Sequence, residues 1–348
     1  MKFLKGVGDF FALDIGTNAI RVVQLAKSGG GMWNLKYYGY VPADAKNTMS
    51  DSEEGRRQLG SKIMTAIGQS GIKTKNVVIG LPSSKTFSTV IDVPAVTPQE
   101  LKATINYQMD QYIPIGVDDA KVDWKSLGQS LHNPEKQEVL ISSTSEKYAE
   151  DRLEFIESLG LNVIAAEPDP IAMIRSILPV GLPDARLIID VGEQASDVVI
   201  TFGDMPRLVR SIPFGISTLV KTVSANLSVS EDQSRQFIFK FGLAEDRLEG
   251  QILNSLKMTL DNFAGEISKS LQFFKTRYPN ATVGGIFIAG SASTIPQMDA
   301  FLAGSTGIQV TSADPWLKVK MTEQARQQIA PVAAEFATVV GLAERNSD

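Results

Sequence analysis

Phe10-Phe11-Ala12-Leu13-Asp14-Ile15-Gly16-Thr17-Asn18-Ala19-Ile20-Arg21-Val22-Val23-Gln24-Leu25-Ala26 decides how this chain begins to fold. Residues 10–15 form an apolar, strand-like run. Gly16-Thr17-Asn18 is turn chemistry, and residues 19–26 resume a strand, so a tight β-hairpin is the natural reading. Gly29-Gly30-Gly31 makes a second turn, and residues 33–40 supply a third strand. Three antiparallel strands in succession do not open a dinucleotide-binding βαβ unit. The Gly-rich fingerprint of that fold is missing, as is a phosphate-binding loop of the G-x-x-x-x-G-K-[ST] type.

The opening pattern returns 176 residues later. Leu187-Ile188-Ile189-Asp190-Val191-Gly192 is again an apolar strand running into Asp-x-Gly. Residues 197–202 form the returning strand, and Gly203-Asp204 turns into residues 206–213. Two hairpins of one kind, each with Asp-x-Gly at its tip, point to a duplicated fold.

Between the hairpins the chain alternates helix and strand. Residues 52–71 read as a helix with Leu59, Ile63 and Ile67 on one face, and 76–81 as a buried strand. Pro82-Ser83-Ser84 marks a boundary. The next stretch has its own organisation: a strand at 87–93, then a capping box at Thr97-Pro98-Gln99-Glu100. That box starts a helix with Leu101, Ile105, Met109 and Tyr112 on one face, ended by Pro114. Strands at 122–127 and 138–142, a helix at 146–159 stopped by Gly160, and a strand at 162–166 complete an α+β subdomain.

After the second hairpin come a helix at 230–241 and a long amphipathic helix at 254–278. In the latter, Leu256, Leu260, Phe263, Ile267, Leu271, Phe274 and Tyr278 recur at helical spacing. Residues 283–289 form a strand into Gly290-Ser291-Ala292-Ser293. The tail, 322–344, reads as helical, with Pro331 inside it and small residues suited to close helix packing.

Composition excludes several chemistries. The 348 residues include no Cys and one His, so thiolate catalysis, disulfides and Cys- or multi-His metal sites are out of reach. His132, in the polar stretch 129–134, reads as a solvated loop histidine. Thirty-four basic against 39 acidic residues give a net charge of −5, which argues against nucleic acid as a partner. No run approaches 18 apolar residues, and residues 1–6 are too short and too weakly apolar for a secretory signal; a cytoplasmic location is the expectation.

Asp14-x-Gly16-Thr17, Asp190-x-Gly192 and the strand into Gly290-Ser291-Ala292 resemble, in that order, the phosphate-1, phosphate-2 and adenosine motifs of actin-like ATPases. Chemistry supports the likeness. An Asp at a strand end can hold magnesium through water, and Gly lets backbone amides approach phosphate oxygens. Val90-Ile91-Asp92-Val93-Pro94, Gln108-Met109-Asp110-Gln111-Tyr112-Ile113-Pro114 and Glu167-Pro168-Asp169-Pro170 are similar to the PilM family of type IV pilus assembly. So are Leu248-Glu249-Gly250-Gln251-Ile252 and Val340-Gly341-Leu342-Ala343. The resemblance spans nearly the whole chain; the cell-division protein FtsA is the nearest rival.

That resemblance implies an α/β actin-like ATPase fold of two related lobes with an inserted α+β subdomain of the FtsA-like 1C type. The first lobe (1A) takes 1–81, 167–185 and 330–348; the inserted subdomain (1C) 82–166; the second lobe (2A) 186–225 and 283–329; and subdomain 2B 226–282. It implies ATP or ADP with Mg²⁺ between the lobes. Nucleotide contacts fall at Gly16, Thr17, Asn18, Arg21, Gly192, Gly215, Gly290 and Ser291, and water-mediated Mg²⁺ at Asp14 and Asp190. Glu167 falls where such ATPases place a residue that orients the attacking water. The implied role is a scaffold at the inner face of the cytoplasmic membrane, at most a weak ATPase. It would bind the N-terminal cytoplasmic peptide of a PilN-like membrane protein in a groove of the first lobe and inserted subdomain. Other pilus assembly components and self-association are further implied contacts. The alternatives are an FtsA-like or filament-forming cytoskeletal ATPase and a nucleotide-free adaptor on the same fold. Three residues depart from the ATPase pattern. Arg235 and Ile238 stand where similar proteins commonly carry an acid and a lysine near the ribose and adenine. Glu193 follows Gly192 where small residues are common.

Overall fold

The computed structural model describes residues 8–48, 50, 52–97, 99–101, 104–105 and 111–345. Residues 1–6 and the 108–110 part of the family-like stretch lie outside them. The chain divides into two units. One comprises Met1–Leu178, Pro315–Pro331 and Phe336–Asp348; the other Pro179–Asp314 and Val332–Glu335.

The first unit opens as the sequence dictates. Strand β1 (Phe11–Ile15) pairs antiparallel with β2 (Ala19–Lys27), which pairs antiparallel with β3 (Trp33–Pro42). A short helix α1 (Ala45–Thr48) leads to α2 (Glu53–Ser70), capped by the Ser52 hydroxyl and ended at Gly71 with φ 84°. The left-handed turn at Gly71 lets β4 (Asn76–Leu81) run back parallel to β1. Leu59, Ile63, Ala66 and Ile67 of α2 pack on Phe11, Leu13, Ile20 and Val22, which face them from the sheet.

Strands β5 (Thr86–Pro94), β6 (Ala120–Gln129) and β7 (Lys136–Ser145) then form a separate antiparallel sheet in the order β5-β7-β6. The Thr97–Glu100 capping box is present: the Glu100 carboxylate accepts from the Thr97 amide at 3.0 Å, and the Thr97 hydroxyl from the Glu100 amide at 3.4 Å. Residues 99–101, 104 and 105 are helical, and Leu101 and Ile105 cover Ile91, Val93, Val139 and Ile141. Met109 lies outside the described residues. Helix α3 (Glu146–Ser158) leads to β8 (Asn162–Pro168), parallel to β4, and α4 (Asp169–Ile177) follows.

The second unit repeats the plan. Strands β9 (Ala185–Val191), β10 (Ser196–Phe202) and β11 (Met205–Ile212) form an antiparallel meander. Helices α5 (Ile216–Leu227), α6 (Glu231–Phe241) and α7 (Gln251–Arg277) come next, before β12 (Val283–Gly290) adds parallel to β9. Helix α8 (Met298–Thr306) and β13 (Val310–Ser312), parallel to β12, follow. The periodic face of α7 enters the core, where Phe263 stacks on Phe214 with centroids 3.9 Å apart.

Strand β14 (Val319–Lys320) then pairs parallel with β3, which gives the first unit a sheet of order β14-β3-β2-β1-β4-β8. The second unit's order is β11-β10-β9-β12-β13. A three-strand meander extended by parallel strands on the β1 or β9 side is common to both, so the repeat read from the two Asp-x-Gly tips extends to whole sheets.

Boundaries differ from the sequence reading in three places. Residues 315–329, assigned there to the second lobe, belong with the first unit. The Trp33 amide donates to the Lys318 carbonyl, and Trp316 packs against Phe336. Residues 179–185 and 332–335 belong instead to the second unit. The tail is also not one helix. It runs as α9 (Glu323–Ile329), a 3₁₀ stretch over Ala330–Phe336 that contains Pro331, and α10 (Ala337–Ala343).

Every residue of α10 is buried, and Gly341 sits directly on the Ala172 carbonyl of α4. A side chain there would overlap backbone, which cannot yield as a flexible side chain can. Gly341→Val is expected to lower the unfolding free energy by about 3 kcal/mol, read from urea unfolding. Among the described residues, no helix is long and apolar enough to cross a membrane.

Candidate functional site

The β1–β2 tip brings Asp14, Gly16, Asn18 and Arg21 together. Hairpin register places Asp14 opposite Arg21, and the guanidinium turns onto the carboxylate (Nη1 to Oδ2, 3.1 Å) with both side chains under 10% exposed. Its other end donates to the Asn18 amide oxygen at 3.3 Å and lies over the Tyr40 ring. A Cβ at Gly16 would stand 2.6 Å from Arg21 Nη1 and push the guanidinium off this position. The Thr17 carbonyl accepts from the Thr48 hydroxyl at 3.0 Å. Asp14 was expected to hold magnesium and Arg21 to meet phosphate. In the structure each neutralises the other, so a cation at Asp14 competes with an internal ion pair.

At the β9–β10 tip, the Gly192 amide closes the turn on the Ala195 carbonyl. The α5 N-terminus then docks on the tip: the Ile216 amide donates to the Gly192 carbonyl at 3.0 Å and Ser217 to the Glu193 carbonyl at 2.9 Å. Gly215, the N-cap of α5, makes that approach possible, since a Cβ would lie 2.5 Å from the Glu193 carbonyl oxygen. Helix N-terminal amides of this sort attract anions, but two of them are already spent on the hairpin.

The Glu193 side chain, 9% exposed, is gripped by both guanidinium nitrogens of Arg235 on α6, with Nη1 3.1 Å from Oε2. Two departures noted separately in the sequence thus form one two-pronged ion pair. Ile238, one turn further along α6, is fully buried in the apolar core. A charged side chain at that position would have to leave the core.

Asp190, next to last in β9, lies beside Gly290 of β12, in register with Ala289. Gly290 has φ 70° and packs against the Asp190 carboxylate and Val191 backbone, a conformation and a gap that only glycine suits. Ser291 donates to Glu335 at 3.3 Å. Gly192, Gly215 and Gly290 thus let backbone segments of this tip pack against one another at close range. The engaged amides and the paired Arg235 mean that a phosphate must rearrange this site to use it.

Glu167 is held differently. Arg175 of α4 donates to both its oxygens, at 2.8 and 2.5 Å, and Arg345 adds a third contact at 3.3 Å. Burial opposes its ionisation, but the Arg175 and then the Arg345 charges outweigh burial and hold its pKa below the ordinary glutamate value. Burial works against the Arg175 cation in turn, and Glu167 overrides it, so its pKa is raised. Glu344, whose pKa burial raises, reaches Lys318 at 2.8 Å. This is the geometry of a structural ion cluster tying β8, α4 and the residues after α10 together. A water-orienting role at Glu167 has to coexist with three guanidinium contacts. The two arginines lay outside the sequence reading; the Glu167–Arg175 spacing of two helical turns from a strand end is the signal that could have found Arg175.

The sequence did not identify a peptide groove. Within the first unit, α2 and α3 enclose an open groove of about 600 Å³ lined by Arg56, Arg57, Gly60, Ser61 and Met64 on one side. Glu154, Phe155, Ser158 and Leu159 line the other. Its floor is apolar and its rim carries both signs of charge.

Two sheets of one strand order, each led by an Asp-x-Gly hairpin, define the actin-like ATPase fold. The sequence model of the family described as type IV pilus assembly protein PilM matches residues 12–347, and the chain belongs to that family. Solved structures agree on the fold. A "PilM-PilN type IV pilus biogenesis complex" matches at TM-score 0.82 and 19% identity, over 98% of this chain and 99% of that one. MreB 5 of Spiroplasma citri bound to AMPPNP matches at TM-score 0.54 and 12% identity, over 96% and 95%. The ethanolamine utilization protein EutJ from Carboxydothermus hydrogenoformans matches at 0.54 and 11%, over 97% and 89%.

Proposed function

We propose that this chain is a type IV pilus assembly scaffold that takes the N-terminal cytoplasmic peptide of a PilN-like inner-membrane protein into the α2–α3 groove. It would thereby work at the inner face of the cytoplasmic membrane. Membership of the PilM family carries the reading. The groove supplies a place for it: Met64, Phe155 and Leu159 offer apolar anchoring, while Arg56 and Glu154 can pair with peptide charges. Fluorescence anisotropy with a labelled peptide of the cognate PilN-like N-terminus tests it. Ser61→Trp fills the groove from an exposed position and is expected to weaken binding about tenfold or more, with the melting temperature unchanged. Saturable binding that Ser61→Trp leaves untouched places the peptide elsewhere, and no binding to the native chain sinks the partner assignment.

Nucleotide binding is part of the proposal. The purine would lie at the Gly290 turn, with phosphates at the Gly192–Glu193 tip of the same unit. Mg²⁺ would supply charge neutralisation there, with Asp190 the nearest strand-end carboxylate. Gly215 and Ser291 would supply contacts beside it, and the β1–β2 tip carries the same kind of turn at Gly16, Thr17 and Asn18. The residues' own contribution is binding and orientation, so turnover is weak at most. A nucleotide-free adaptor is the second reading. It is favoured by the Glu193–Arg235 and Asp14–Arg21 pairs, which occupy with internal charges what a triphosphate and its cation would need.

A further inference from the structure

The face of the small three-stranded sheet opposite its Ile91–Val93 core holds a cluster that neither nucleotide nor peptide binding uses. Cross-strand register places Asp92 of β5 directly opposite Glu138 of β7. Two like charges in that position repel, and Glu138 is fully buried, so a cation placed between them would be favoured. His132 supplies the third corner. It is the chain's single histidine, and it lies in the exposed β6–β7 loop as its polar surroundings suggest, with its ring turned toward the two carboxylates. Its side chain is 26% exposed, with Nε2 3.3 Å from Asp92 Oδ2 and Nδ1 3.6 Å from Glu138 Oε1.

We propose that Asp92, His132 and Glu138 form a binding site for one divalent transition-metal ion of the zinc class. One ligand atom from each residue lies within 4.8 Å of the others, a spacing that contracts onto a common ion once one carboxylate moves to the imidazole nitrogen that the other already faces, at bond lengths of about 2.0–2.2 Å. The donor set decides the class of ion. Magnesium and calcium prefer all-oxygen shells, whereas imidazole with carboxylates suits zinc, cobalt or nickel. Three protein ligands leave a fourth position for water.

The surroundings are built to hold these donors. The Ser130 hydroxyl, itself buried, contacts Asp92 Oδ1 and His132 Nδ1, each at 3.1 Å. It also accepts from the His132 and Asn133 amides, and the loop closes through the Lys136 amide on the Asn133 carbonyl. Hydroxyl and backbone partners of this kind orient metal ligands. The benefit to the fold follows from size. Among the described residues, the apolar core of this sheet has seven buried members, against 28 in the second unit. An ion joining β5, β7 and the β6–β7 loop is a staple of the sort that small cores need.

The test uses the full chain after chelator treatment, with Zn²⁺ and Co²⁺ as probes and Mg²⁺ as the control. Calorimetry is expected to give one Zn²⁺ per chain. Co²⁺ should add a visible absorption band, and the single set of His132 imidazole resonances should shift on Zn²⁺ but not on Mg²⁺. His132→Asn, a loop substitution that leaves both strands intact, is expected to weaken Zn²⁺ binding at least tenfold. Asp92→Asn should do the same, which keeps the test open should Glu138→Gln fail to fold. Zn²⁺ binding that survives His132→Asn overturns the proposal. So does an imidazole signal that responds to pH alone, because His132 would then be the counter-ion itself.

Discussion

Replacing Glu167 by glutamine is expected to lower the unfolding free energy by about 3–5 kcal/mol at neutral pH. The carboxylate is 5% exposed, and it is the shared partner of Arg175 and Arg345. Glutamine keeps the shape but offers one neutral acceptor in place of a charge, and leaves two guanidinium groups facing each other. The pH dependence has a definite sign. Glu167 has a folded pKa below the ordinary value, so its contribution is complete above the unfolded glutamate pKa of about 4.3 and is lost as pH falls through the lower folded value. Urea unfolding should therefore show a constant gap between native and variant chains from pH 7 to 5, and a shrinking one below about pH 4. A gap under 1 kcal/mol would remove the structural role. Should Glu167 instead act chiefly on the attacking water, the variant would lose ATP turnover at unchanged stability.

That ion cluster shows where a sequence stops being legible. Alternating apolar residues and glycine turns are local signals, so the two hairpins, the long periodic helix and the capping box could be read directly. The duplication could be read too, because Asp14-x-Gly16 and Asp190-x-Gly192 are the same local solution used twice. Partners remote in sequence left no such trace. Arg345 meets Glu167 across 178 positions and Arg235 meets Glu193 across 42. Strand β14 is two residues long and has no periodicity to detect, so nothing local in residues 315–329 signals the first unit with which the structure groups them. Asp14 and Arg21 are an instructive middle case. Their hairpin register was implicit in the turn at 16–18, yet each was matched to a ligand when the nearest charge was the other. Ile238 was matched to a purine-side position because motif spacing carries no information on which face of a helix enters the core.

The larger functional effect is expected at Glu193 and Arg235, and it has opposite signs at the two ends of one ion pair. Removing the carboxylate with Glu193→Ala releases a guanidinium at the hairpin tip and deletes a negative charge that would face the phosphates. Charges a few ångströms apart near a surface interact by about 4 kcal/mol at most, and Arg235 is 41% exposed, so screening reduces this. ATP binding is expected to tighten about tenfold to a hundredfold. Removing the cation with Arg235→Ala leaves Glu193, 9% exposed, without its guanidinium partner beside an incoming triphosphate, and binding should weaken by a similar factor. The double variant should fall between the two. Equilibrium binding of a fluorescent ATP analogue with and without Mg²⁺ measures all three, and Mg²⁺ should help Arg235→Ala most, since the ion can stand in for the lost charge. Two single variants moving in the same direction would show that the pair acts on the fold rather than on the ligand. A native chain and a Glu193→Ala chain that both ignore ATP would leave the nucleotide-free adaptor as the reading of this protein. The ion pair would then be a permanent internal replacement for phosphate contacts at this tip.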